Sequence, residues 1–68
     1  MSVIMFGSKT FVVENSTAAR ILNDAAELKQ AGDDASAQMM LSLAVKVENG
    51  IMSAAEAEGQ LTTQSLAA

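Results

Sequence analysis

The chain contains neither cysteine nor histidine, which removes the cross-links that most often hold a very small domain together. Disulfides need paired cysteines, and structural zinc sites are built almost entirely from Cys and His ligands. At 68 residues we predict a single domain over 1–68, and a domain of this size buries only about 60% of the surface that its unfolded chain exposes. Its stability must therefore come from close packing of helices and strands or from association with another chain.

The large apolar residues are concentrated in two segments. Half of the residues are hydrophobic, but thirteen of these are alanine; seven larger apolar residues lie in 3–13 and eight in 39–52. This composition argues against disorder, which is typical of chains poor in apolar residues. No stretch approaches the roughly 18 uninterrupted apolar residues of a spanning helix, so we predict no membrane span.

The first apolar segment predicts a β-hairpin over 3–14. Its sequence, VIMFGSKTFVV, places strand-forming residues on both sides of Gly7-Ser8, which suits a two-residue turn. Both arms are continuous apolar runs, whereas a hairpin with one wet face normally alternates. We therefore expect both faces to be covered, one by the chain's own helices and the other by a second protein chain.

Two helices are predicted next. Helix 1, over 16–31, follows a cluster of capping residues and places apolar residues three and four positions apart. Helix 2, over 34–49, has one narrow polar stripe and is apolar around most of its circumference. A helix of that kind is expected to be buried nearly all round. We therefore predict that helix 2 forms the centre of the structure.

A third helix is predicted over 53–62, where Ser53 and Glu56 have the spacing of a capping box. It carries few large apolar residues, and we expect a frayed tail over 63–68. The predicted fold class is α+β: an N-terminal β-hairpin packed on two or three short α-helices in one small domain.

The amino-acid composition of the chain disfavours catalysis and nucleic-acid binding. Without His, Cys, Tyr or Trp, it lacks the commonest general acid-base group and a strong nucleophile. The acidic pair Asp33-Asp34 is better explained as a helix cap than as a catalytic dyad. A net charge of −4 with four scattered basic residues gives no phosphate-binding surface. We predict no enzyme activity, no catalytic residue, no cofactor, no metal and no nucleic-acid partner.

The remaining function class is protein interaction. We predict a small acidic module that acts as a homo-oligomer, or as an accessory, inhibitor or adaptor subunit bound to a larger protein through its hairpin and helix 2. The alternative is a structural subunit of a filament, a secretion apparatus or a virion. The residues predicted to contact the partner are the larger apolar side chains of these two segments: Val3, Met5, Phe6, Phe11, Val12, Met39, Met40 and Leu43.

The two ends of the sequence carry weaker indications. The start, MSVIMFG, lacks the basic region of a secretory signal, so we expect a cytoplasmic protein. Short, acidic, alanine-rich chains of this kind are typical of bacterial and phage regulatory proteins. The final residues Leu66, Ala67 and Ala68 resemble the C-terminal tag that bacterial unfoldase-proteases read on products of stalled ribosomes. This resemblance implies proteolytic recognition of the C-terminus.

Overall fold

In a computed structural model of the chain, the backbone is described over residues 1–67 and the side chains over residues 1–61. The elements are β1 (Ser2–Phe6), β2 (Lys9–Val13), α1 (Ser16–Gln30), α2 (Asp34–Glu48) and α3 (Ala54–Ala67). An antiparallel two-stranded hairpin followed by three helices confirms the predicted α+β fold class.

The C-terminal end is the least described part of the chain. The predicted third helix ends at residue 62, whereas α3 has helical backbone as far as Ala67. The frayed tail predicted over 63–68 stays a prediction. The side chains of residues 62–68 and the whole of Ala68, and with them the tag-like side chains, lie outside the described part.

The hairpin turn is fixed by Gly7. The strands pair antiparallel, with Phe6 opposite Lys9 and Ile4 opposite Phe11, which leaves Gly7-Ser8 as a two-residue loop. Gly7 has a φ of 60°, and within residues 1–67 no residue other than glycine has a positive φ. A positive φ at the first loop position alone is the signature of a type II′ turn, whose twist matches that of the flanking strands.

The two faces of the hairpin differ sharply in burial. Ile4, Phe6 and Val13 are buried and belong to the core, and Phe11 is half-buried against it. Successive strand residues point to opposite faces, so the residues between these point away from the helices. One face of the continuous apolar runs is therefore open in the isolated chain.

The centre of the fold is α1 rather than α2. Asn15 caps α1 by accepting the N–H groups of Thr17 (2.9 Å) and Ala18 (3.0 Å) at its Oδ1 atom. The helix contacts both strands on one side and α2 on the other. Its buried residues include the two largest fully buried side chains of the described part, Ile21 and Leu22.

The prediction that α2 is central and buried nearly all round is wrong. It buries a stripe of four residues: Ala37, Leu43, Ala44 and Val47. Met39 and Val45 remain 47% and 39% exposed, because α1 and α3 cover only part of the circumference. The helix α3 contacts α2, buries Ala57, and is joined to α1 by an ion pair between Arg20 and Glu58.

Candidate functional site: the outer face of the hairpin

Among residues 1–61, whose side chains the structure describes, the most exposed apolar surface built on regular structure is the outer face of the hairpin, formed by Val3, Met5, Thr10 and Val12. Val3, Met5 and Val12 are 65%, 64% and 59% exposed. Val3 and Val12 lie directly opposite each other, as do Met5 and Thr10, so the three apolar side chains form one group. Single exposed apolar residues are ordinary, but neighbouring ones on one face indicate an interaction surface.

The same four residues also present the free backbone edges of the sheet. A two-residue turn is closed by a hydrogen bond between its flanking residues, here Phe6 and Lys9. In an antiparallel pair, hydrogen-bonded and non-hydrogen-bonded residue pairs then alternate along the strands. Counted from Phe6 and Lys9, the outer-face residues fall at the non-hydrogen-bonded positions. Their N–H and C=O groups therefore point away from the hairpin, two residues on each edge.

The hairpin is almost free of charge. Its only charged side chain is Lys9, and seven of the eight acidic residues of the chain lie from Asp24 onward. The net charge of −4 is thus carried by the helices and their caps. A partner that covers the outer face does not have to remove a charged side chain from water, which is the costliest kind of burial.

A shallow groove borders the outer face between β2 and α2. It has a volume of about 200 Å³ and is lined mainly by apolar side chains: Phe11, Val12, Val13, Leu22, Ala44, Val45, Glu48 and Asn49. Sites for small organic ligands usually measure about 300 to 1,000 Å³. The groove therefore suits a protruding side chain of a protein partner better than a whole small molecule.

Glu48 holds the polar end of this groove in place. Its carboxylate accepts the backbone N–H groups of Asn15 (2.9 Å) and Glu14 (3.0 Å). The hydrogen bond from Asn15, and after it the one from Glu14, lower the pKa of Glu48 below its ordinary value of 4.5, although desolvation of the carboxylate opposes this effect. The carboxylate thereby fastens the last turn of α2 to the junction between β2 and α1, which sets the distance between the two walls of the groove.

The structure places three of the predicted contact residues together on one face and buries two others. Val3, Met5 and Val12 lie on the outer face, as a hairpin interface requires. Phe6 and Leu43 are buried in the core, 5% and 4% exposed, so a partner that docks on the folded chain does not reach them. Partner binding itself stays a prediction for all eight residues.

The other three predicted residues are dispersed. Phe11 lines the groove, and Met40 is half-buried against the core. Met39 is six residues before Val45, which turns it about 120° around the helix from the groove wall. The sequence analysis did not include Val45 among the contacts, although Val45 lies three residues before Glu48 and four before Asn49, which line the same groove.

Among the residues the structure describes, no helix combines the length and apolar character that crossing a membrane requires. The chain was also compared with known proteins, and it matches no protein-family model, no curated protein and no solved structure.

Proposed function

We propose that this protein is a non-catalytic interaction module, which works as a homo-oligomer or as a small accessory, inhibitor or adaptor subunit on a larger protein. The observation that carries the proposal is the outer face, where Val3, Met5 and Val12 are each more than half exposed. Full burial of such a side chain stabilises by about 1.5–3 kcal/mol. Covering the exposed part of all three thus supplies several kcal/mol to association.

The groove extends this surface beyond the hairpin. Val12 belongs both to the outer face and to the groove, and Val45 forms the opposite wall. Polar residues border this apolar area, with Lys9 exposed at the turn end and Asn49 exposed at the far end of α2. An apolar centre with a polar rim is the usual anatomy of a protein interface.

The test compares two lysine substitutions. Met5→Lys places a charge on the outer face, whereas Ile51→Lys makes the same kind of change at an exposed residue between α2 and α3 that is 73% exposed. Light scattering measures the size of the purified protein between about 10 µM and about 1 mM, and size-exclusion chromatography measures it in extract of the cells that make it.

We expect the wild-type chain to occur in a species larger than a monomer in at least one of these two settings. Met5→Lys should weaken that association about tenfold, because each new lysine loses the apolar contacts of Met5 with the other chain, which are worth about 0.2–1 kcal/mol per residue pair. Ile51→Lys should leave the association unchanged. A wild-type monomer in both settings contradicts the proposal. So does an assembly that Met5→Lys leaves unchanged.

A structural subunit is the second candidate, favoured by the free edge on each side of the two-stranded sheet. A sheet that pairs at both edges adds chains without closing, which generates a filament rather than a discrete complex. The same light-scattering series distinguishes the two: a filament grows continuously with concentration, whereas a discrete oligomer reaches a plateau.

A further inference from the structure

We propose that the strand that pairs with β1 is β1 of a second copy of this chain. The two strands run antiparallel across a two-fold axis, with Val3 opposite the partner's Met5 and Ile4 opposite the partner's Ile4. The two hairpins become one four-stranded sheet in the order β2, β1, β1, β2. This inference rests on the proposed function and names the partner of the same surface.

The first support is the direction of the backbone groups of β1. Val3 and Met5 occupy non-hydrogen-bonded positions of the hairpin, so both direct their N–H and C=O groups outward. Each is able to exchange two hydrogen bonds with an added strand. When Val3 lies opposite the partner's Met5, all four outward groups of each strand are paired.

The register is set by the symmetry. In an antiparallel pair of identical strands, the residue numbers of any two opposed residues add up to the same sum. Hydrogen bonding across the pair also requires outward-pointing residues, here Val3 and Met5, to lie opposite each other. The sums 6, 8 and 10 meet this condition, and only the sum 8 aligns all of Ser2–Phe6. That register also places Ile4 beside the partner's Ile4 on the inner face, so that the two cores become continuous.

The second support is the sequence of this edge strand. Natural edge strands are commonly blocked by lysine, proline, bulges or a covering element. β1 has the sequence SVIMF, with no charge and no proline, and its pairing with β2 is regular. β2 differs because it carries Lys9 and is bordered by the groove and α2. The edge of β1 is therefore the one suited to a second copy.

The size of the interface predicts a weak dimer. A standard interface buries about 800 Å² on each partner, close to a fifth of the 4324 Å² accessible surface of this chain. A strand of five residues is only about 17 Å long, so pairing of two edges buries less than this. We expect a dissociation constant on the order of 100 µM, as in transient complexes.

The experiment removes one edge hydrogen bond without changing a side chain. The full chain is short enough for chemical synthesis, which allows backbone N-methylation at Met5 in one sample and at Val12 in the other. Both N–H groups point out of the hairpin, so circular dichroism should show an unchanged fold for both. Sedimentation and NMR titration from about 10 µM to about 1 mM then give the dissociation constant.

We expect N-methylation at Met5 to weaken dimerisation at least tenfold, since the symmetry repeats the lost bond and the methyl group blocks strand approach. N-methylation at Val12 should change it less than twofold. If only the Val12 sample is affected, or neither is, the pairing of β1 is overturned although self-association stands. If the purified chain stays a monomer up to about 1 mM and associates only in extract, the second copy is the wrong partner while the proposed function survives.

Discussion

Glu48 joins three elements through one carboxylate. It lies in the last turn of α2 and accepts the N–H groups of Glu14 and Asn15 at the junction between β2 and α1. Asn15 is the N-cap of α1, so its N–H is among the donors that a helix start leaves without intrahelical partners, and Glu14 directly precedes it. Because the anion is the acceptor, the contact exists in full only while Glu48 is ionised.

The lowered pKa of Glu48 determines how stability depends on pH. A carboxyl group whose pKa is lower in the folded than in the unfolded chain stabilises the fold above its ordinary pKa. That contribution decreases as the pH falls from about 4.5 through the lowered value, where the folded protein also becomes protonated. The Glu48→Gln variant lacks this contribution at every pH.

We therefore predict that Glu48→Gln unfolds at a lower temperature than the wild type at pH 7, and that the difference shrinks below pH 4.5. Thermal unfolding followed by circular dichroism across this range measures both effects. Glu27→Gln on the exposed side of α1 changes the charge equally and serves as the control. A constant difference at all pH values would show that the ionised carboxylate is not what stabilises the junction.

At the scale of the element, the fold depends on α1. Its alanines Ala18 and Ala25 are fully buried, and small side chains at these positions allow the neighbouring elements to approach closely. The larger residues Ile21 and Leu22 then fill the space between the hairpin and α2. The helix therefore belongs to both halves of the core.

This role predicts unequal costs for two similar substitutions. Leu22→Ala should cost about 2–5 kcal/mol, because it leaves a cavity at a fully buried site. Such a loss is comparable to the whole stability expected of a chain this short. Leu41→Ala removes a half-buried side chain of α2 and should cost clearly less. Urea denaturation of both variants checks the order; equal costs would mean that α1 is no more central than α2.

The elements could be predicted from the sequence because their signals are local. Gly7-Ser8 marks the turn. Ser53 and Glu56 make one of the two bonds of the predicted capping box, in which the Glu56 N–H donates to Ser53 Oγ at 3.1 Å; the Ser53 hydroxyl donates to the Glu56 carboxylate at 3.2 Å. Which helix is central could not be predicted, because the apolar circumference of α2 does not show how many other elements pack around it. Alanine-rich α1 carries fewer large apolar residues than α2 but lies between the hairpin and α2.

The candidate site was predictable only in part for a related reason. Continuous runs such as VIMF show that both faces of a strand are apolar without showing which residues face inward. Which residues face inward is decided when the hairpin packs on α1. Ile4 and Phe6 then enter the core, and Val3 and Met5 stay outside. Residue type alone could not separate Phe6 from Met5.

At the scale of the whole molecule, charge and apolar surface are segregated. Residues 1–13 carry one charged side chain, Lys9, and seven of the eight acids lie on the helices or their caps. Two copies that meet at β1 keep their acidic helices away from the contact. The net charge of −4 on each copy therefore opposes association only at long range, where salt screens the repulsion. The arrangement favours association through the hairpin over contact through the helices.

Amide hydrogen exchange of the outer-face residues tests the pairing of β1 most directly. In the isolated chain the N–H groups of Val3, Met5, Thr10 and Val12 all point out of the hairpin. If two copies pair through β1, protection of the Val3 and Met5 amides rises between about 10 µM and about 1 mM, while the Thr10 and Val12 amides stay unprotected. Exchange of all four amides at the same fast rate throughout this range would contradict the pairing of β1.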